Sequence, residues 1–149
     1  MNATIRPATL TDLSVLTDLY HQLHPDEPPW PSEAAAGEAL SKVLGQPGTT
    51  VYLGEIEGRA VATCMLIVTQ NFSRCGRPFA MIENVVTDRD HRKRGFGRQL
   101  VQHAMTVARE LGCYRVTLMT GSRREETLRF YEATGLRRNT KTAFELRMV

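Results

Sequence analysis

Cysteine is sparse in this 149-residue chain, with three residues, Cys64, Cys75 and Cys113. Their spacing contains no Cys-x-x-Cys pair, and an odd count argues against a disulfide framework. Cys64 lies in an apolar run and is expected in the core. The four histidines, His21, His24, His91 and His103, show none of the spacings that hold zinc, so no metal is expected. No stretch approaches the roughly 18 apolar residues of a membrane span, and Met1 to Leu10 lacks the apolar core of a secretory signal. A cytoplasmic protein without a membrane partner is expected. Repeats, linkers and low-complexity segments are absent. The length suits one domain over residues 1–149. The formal net charge is only +3, too little to argue for nucleic acid.

The charge that is present is concentrated. Arg89, Arg92, Lys93, Arg94 and Arg98 fall within ten positions, interrupted by Asp90. Such a cluster is either a solvated basic loop or an anion site.

The hydrophobic pattern predicts alternating elements. Ala3 to Arg6 suits a short strand. Leu13, Leu16, Tyr20 and Leu23 recur at helical spacing, with Thr9 and Asp12 as a capping start. His24-Pro25 ends that helix, and the proline-rich stretch to Pro31 is a loop. Ser32 to Leu44 reads as a second helix. Thr50–Ile56 and Ala60–Thr69 read as strands joined by the Glu57-Gly58 turn, and Phe79 to Thr87 as a fourth. Gly95 to Leu111 is the strongest helix, with Phe96, Leu100, Ala104, Val107, Ala108 and Leu111 on one face. Tyr114 to Thr120 reads as a strand, Glu125 to Ala133 as a helix, and Thr142 to Met148 as a last strand. Strand–helix–strand around Gly95 to Leu111 implies one parallel pairing, and the hairpins imply antiparallel ones. The expectation is a mixed α/β sheet with helices on its faces.

The segment Arg92-Lys93-Arg94-Gly95-Phe96-Gly97-Arg98 follows a strand and opens a helix. A helix start leaves backbone N–H groups unpaired and carries partial positive charge, so it favours an anion. Gly95 and Gly97 lack a β-carbon and would let a phosphate approach the backbone. Neither the Walker pattern nor Gly-x-Gly-x-x-Gly is present, since Leu100 stands where the third glycine would be.

Val85-Val86-Thr87-Asp88 followed by Arg92-x-x-Gly95-x-Gly97 resembles the coenzyme A signature of the GNAT acetyltransferase superfamily. Phe130-Tyr131-Glu132-Ala133-Thr134-Gly135-Leu136 is similar to the family's second signature, with Leu136 in place of the usual phenylalanine. The resemblance implies the GNAT, or acyl-CoA N-acyltransferase, fold: a mostly antiparallel sheet whose fourth and fifth strands splay apart to admit pantetheine. It implies acetyl-CoA as co-substrate, with Val85, Val86 and Thr87 beside the pantetheine. The amides from Arg92 through Lys93, Arg94, Gly95, Phe96 and Gly97 to Arg98 would cradle the pyrophosphate. The family commonly has an asparagine where this chain has Arg124, which removes one expected coenzyme contact.

Direct acetyl transfer to an amine needs a base, stabilisation of the thioester oxygen and a donor to the leaving sulfur. A lysine-type amine has a pKa of about 10.4, so neutralising it near pH 7.4 costs roughly 4 kcal/mol. Glu83, inside an otherwise apolar strand, is the candidate base. Alternation puts Glu83, Val85 and Thr87 on one face, unless a family bulge breaks the phase. Tyr131 matches the family's catalytic tyrosine and is the candidate donor. Asn84 and Trp30 are candidates for contacting the acceptor. Ile82-Glu83-Asn84-Val85-Val86 is also similar to a Glu-Asp-Val-Val stretch of glucosamine-phosphate acetyltransferases, and Arg74 and Arg77 could then meet an acidic substrate. Small amines, amino sugars, antibiotics and peptide amines remain open as acceptors. A non-catalytic acyl-CoA-binding module is the alternative. A homodimer is expected, because the family often pairs through sheet edges or last strands.

Overall fold

The structure is a computed structural model that describes residues 2–148. Its centre is a five-stranded sheet of β1 (Thr4–Pro7), β2 (Thr49–Ile56), β3 (Arg59–Thr69), β4 (Phe79–Thr87) and β5 (Val116–Leu118), in that spatial order. The first three junctions are antiparallel and β4–β5 is parallel. The helices are α1 (Leu13–Leu23), α2 (Glu33–Leu44), α3 (Phe96–Glu110) and α4 (Glu125–Glu132). This is the expected mixed, mostly antiparallel sheet flanked by helices.

Local chemistry sets the helix starts. The Thr9 N–H donates to the Asp12 carboxylate at 2.8 Å, and Asp12 also takes the Arg6 guanidinium at 2.8 and 2.9 Å. Arg6 reaches Glu55 as well, so one side chain ties β1, the entry to α1 and β2 together. These hydrogen bonds, Arg6 foremost, hold the Asp12 carboxyl down at about 2. Ser32 caps α2 by accepting from the Ala35 N–H.

Two cores lie on opposite faces of the sheet. Leu100, Val101, Ala104 and Ala108 of α3 pack on Ala62, Cys64, Leu66, Ala80 and Ile82. Leu16 and Leu19 of α1 pack with Val51, Leu53 and Val86. Leu111, expected on the buried face of α3, is more than half exposed.

Ile82 and Val86 therefore point to opposite faces although they stand four positions apart, an even offset that should keep them together. The cause is a bulge. Thr63 pairs with Val86 and Met65 with Glu83, so Cys64 alone faces both Asn84 and Val85. Asn84 absorbs the extra residue in the left-handed region, at φ 53°. The bulge also corrects the simple alternation. Glu83 pairs with Met65 and sits on the α1 side, whereas Val85 packs into the α3 core and Thr87 touches α3.

The sheet is splayed where expected. β4 and β5 pair only from Ala80–Val116 to Ile82–Leu118. β4 then continues from Glu83 to Thr87 with no β5 partner. The Tyr114–Thr120 strand expected from sequence is trimmed to Val116–Leu118. The last expected strand, Thr142 to Met148, does not form: the segment is exposed, with no ladder among the described residues. A strand without a neighbour has nowhere to place its backbone hydrogen bonds.

Candidate active site

The basic cluster and the splayed edge of β4 meet in one cleft of about 630 Å³. Its walls run from Val85, Val86 and Thr87 across the turn before α3 to Phe130 and Tyr131 of α4.

The turn is built by backbone constraint. Lys93 and Gly95 both take positive φ, 61° and 84°. Gly95 is the residue just before α3, where a left-handed conformation suits glycine. The Gln99 N–H bonds to the Gly95 carbonyl at 3.0 Å. By helix geometry, the N–H groups of Phe96, Gly97 and Arg98 ahead of it have no acceptor inside the helix. Together they make a cradle of free donors, the arrangement that suits an anion.

Gly97 also has a packing role. A β-carbon there would stand 2.8 Å from Thr87 Oγ1 and 3.3 Å from Phe130 Cζ. It is buried, and it lets α3 pack closely between β4 and α4. Phe96 likewise contributes its ring to the core and only its backbone to the cradle.

The cations divide. Arg92, Lys93 and Arg98 line the cleft, and Arg94 does not. The Arg92 Nε donates to the Thr87 carbonyl at 3.1 Å, folding the loop back on β4. Lys93 approaches Glu126 of α4 at 3.7 Å, both largely exposed. Arg124, which stands where the family commonly has asparagine, begins α4 and lines the same cleft. It adds a cation beside the cradle.

One contributor has no sequence signal. Gln22, at the end of α1, donates to Asp88 Oδ2 at 3.0 Å and accepts from the Arg89 N–H at 2.9 Å. Asp88 also accepts from the Asp90 N–H and from His91 Nδ1, at 3.1 and 2.8 Å. Hydrogen bonds from Gln22 and then His91 hold the Asp88 carboxyl at about 2. One amide side chain thus clamps α1 to the strand-to-cradle link, and it lines the cleft too. A lone glutamine in a helical pattern carries no motif, and only tertiary contact reveals it.

Tyr131 lines the cleft, its ring edge-on to Phe130 with centroids 4.9 Å apart. Burial pushes its phenol above the ordinary value, and Cys64 and Glu83, as anions, push the same way. Cys64 itself is buried, and that burial raises its thiol to about 12, which makes it a packing residue. Asn84 is half-buried and faces the Tyr20 hydroxyl. Trp30 is 53% exposed on the proline-rich loop and lines neither this cleft nor the one beside β5. Arg77 donates to the Gly112 and Cys113 carbonyls, and Arg74 lies 5.3 Å over the Tyr114 ring. Both arginines are already used by the fold.

The cleft fits coenzyme A in two observed respects. The cradle joins free helix-start amides to lining cations, and the unpaired edge of β4 leads from it to Tyr131.

Comparison with known proteins agrees. The family model for the acetyltransferase (GNAT) family matches residues 14–136. A putative acetyltransferase from Agrobacterium tumefaciens superposes with a TM-score of 0.92 at 39% identity, covering 97% of this chain and 99% of that one. Glucosamine 6-phosphate N-acetyltransferase 1 of rice (Oryza sativa subsp. japonica) is 36% identical over 118 residues, 76% of this chain and 70% of its own. The glucosamine 6-phosphate N-acetyltransferase of Trypanosoma brucei brucei is 36% identical over 89 residues, 60% of this chain. That match spans only 58% of the trypanosomal protein's length. The chain belongs to the GNAT acetyltransferase family.

Proposed function

We propose that this protein is an N-acetyltransferase that moves the acetyl group of acetyl-CoA directly to the primary amine of a small amino-sugar phosphate. One observation carries the reading: a single cleft runs from the cradle at α3, along the unpaired edge of β4, to a half-buried tyrosine. The amino-sugar class rests on the rice and trypanosomal relatives, together with the cations Arg115, Arg137, Arg138 and Lys141 that share with Tyr131 the lining of the cleft beside β5.

Bound acetyl-CoA supplies an acyl thioester, activated toward amines. The amides of Phe96, Gly97 and Arg98 hold phosphate, with Arg92, Lys93, Arg98 and Arg124 adding charge. Val85 and Thr87, which line the cleft, would flank the acyl arm, and backbone N–H groups beside the bulge would donate to the thioester oxygen. Tyr131, its phenol pushed up by burial, stays protonated at neutral pH and so keeps its donor. That same shift makes complete proton transfer to a thiolate more uphill. The hydroxyl therefore acts by donating a hydrogen bond that strengthens as the carbon–sulfur bond breaks. Glu83 lines neither cleft and lies on the α1 face, but its charge is felt at Tyr131, and in this reading it takes the amine proton through water.

Thiol release from acetyl-CoA with glucosamine 6-phosphate, glucosamine and a lysine peptide tests this. The phosphorylated amine should react fastest. Coenzyme A binding by calorimetry, with no release from any amine, would replace the reading with a non-catalytic binding module.

A further inference from the structure

The coenzyme cleft has two walls with different chemistry. On the α3 side, free helix-start amides stand beside Arg92 and Arg98. On the α4 side, Arg124, Glu126 and Thr127 line the cleft, and the first turn of the helix carries Glu125 and Glu126. Those acids already answer the partial positive charge of a helix start. An anion on this wall must therefore be held by side chains.

The side chains there are unequally engaged. Glu125 is taken by Arg129 at 3.2 Å and by Arg138 at 3.0 Å, and none of these three lines the cleft. Glu126 meets Lys93 at 3.7 Å, with both side chains largely exposed. That pair spans the cleft from the turn before α3 to α4, and at such length and exposure it contributes little. Lys93 is thus free to exchange partners. The Arg124 N–H bonds to Ser122 Oγ, but its guanidinium has no ion pair or hydrogen bond among the described residues. An unpaired guanidinium and a weakly paired ammonium face one cleft. Coenzyme A presents two kinds of phosphate, a diphosphate bridge and a monoester on the ribose 3′-oxygen. The α3 cradle suits the diphosphate. The monoester carries a charge of about −1.5 to −2 near neutral pH, which suits an arginine fork and an ammonium together.

We infer that Arg124 and Lys93 form a second anion site, which takes the 3′-phosphate of coenzyme A and lets this chain distinguish coenzyme A from 3′-dephospho-coenzyme A. The inference rests on acetyl-CoA being the co-substrate. Glu126 works against the site. It holds Lys93 in the free protein and repels an arriving phosphate, so binding exchanges a carboxylate for the phosphate at the Lys93 ammonium. Arg124, with no partner to give up, supplies most of the discrimination.

Calorimetry of the full chain with coenzyme A and with dephospho-coenzyme A, without any amine, tests the inference. The wild type should bind coenzyme A about tenfold more tightly than the dephospho form, as a charge-assisted phosphate contact implies. Arg124→Gln should cut that ratio by about threefold or more. Arg124→Lys keeps the charge without the fork and should restore part of it. Glu126→Gln should raise coenzyme A affinity by about two- to fivefold, and affinity for the dephospho form by less. Arg123→Gln removes the same charge from a residue that does not line the cleft, and should leave the ratio unchanged. Rising salt should shrink the wild-type ratio. Damage to α4 alone would weaken both ligands together, whereas loss of a 3′-phosphate contact moves the ratio. Equal wild-type affinity for the two ligands overturns the inference and leaves the proposed activity standing. So does a ratio that survives Arg124→Gln, or one that Arg123→Gln lowers as far. A wild type that binds neither ligand overturns the proposed activity, and the inference with it.

Discussion

The turn before α3 and the arm after α4 were equally readable as patterns, and only one became the structure its pattern promised. The turn needs nothing from outside itself. Gly95 takes φ 84°, Gln99 closes the first helical bond, and the amides ahead of it are free by geometry. The arm has a clean period of two, and yet no ladder forms in its own chain. A helix satisfies its backbone internally, whereas a strand borrows half its hydrogen bonds from a neighbour. Periodicity therefore reports which face will be buried, without saying against whom.

The largest expected effect falls on Tyr131, where the two regions meet. Tyr131→Phe keeps the ring against Phe130 and removes one hydroxyl. It should lower kcat by about 100-fold or more, the usual range for such donors, with coenzyme A affinity little changed. Steady-state kinetics with a reacting amine and calorimetry with coenzyme A separate the two quantities. Turnover at the wild-type rate would return Tyr131 to packing and leave the cleft without its chemistry.

Acid should next distinguish the body from the arm. Asp12 and Asp88 are both depressed from 3.8 to about 2 in the folded chain. A depressed carboxyl contributes stability that is fully present above the unfolded value and disappears as pH falls through the folded one. Each contributes roughly 2 kcal/mol, lost between about pH 4 and pH 2. Denaturant midpoints measured across that window should fall steeply, and Asp12→Asn should flatten the fall while lowering stability near neutrality. The arm's Glu145–Arg147 pair is largely exposed, where such pairs add little to stability.

The two glycines of the turn then divide the motif by physics. Gly97→Ala places a β-carbon 2.8 Å from Thr87 Oγ1 and should destabilise by about 1–3 kcal/mol through overpacking. A β-carbon at Gly95 has nothing nearer than 4.0 Å, so Gly95→Ala strains φ instead. It should cost about 1 kcal/mol and weaken coenzyme A binding more than its loss of stability suggests. Melting and calorimetry of both variants decide whether the signature's second glycine belongs to the ligand or to the core.

Much of the body was legible because its signals are local. The proline stretch ended α1, Ser32 capped α2, and the apolar face of α3 found its core, apart from Leu111. The turn before α3 was legible by motif. The bulge was not legible from alternation alone, because one inserted residue inverts every position after it. That is why Glu83 and Val85 ended on different faces. Trp30 looked like a wall and lies on an exposed loop, since a large ring in a proline-rich segment says nothing about what it meets.

The smallest expected effect tests a contact that no sequence pattern suggested. Gln22 gives one hydrogen bond to Asp88 and takes one from the Arg89 N–H, so its amide fixes the link between β4 and the cradle from outside. Gln22→Leu keeps helix propensity and bulk while removing both bonds. Asp88 retains its bonds from His91 and the Asp90 N–H, so the link should loosen without collapsing. Net hydrogen bonds of this kind contribute about 1 kcal/mol each, and more where one partner is charged. Coenzyme A affinity should therefore fall roughly 5- to 10-fold. Because the amide touches neither Tyr131 nor Glu83 in this structure, kcat at saturating acetyl-CoA should hold, with the loss confined to the KM for the coenzyme. Gln22→Glu should behave differently. Its carboxylate still accepts from the Arg89 N–H but faces Asp88 with like charge, so its binding defect should shrink as salt screens that repulsion. If Gln22→Leu binds coenzyme A as the wild type does, the cradle is held by its own turn alone.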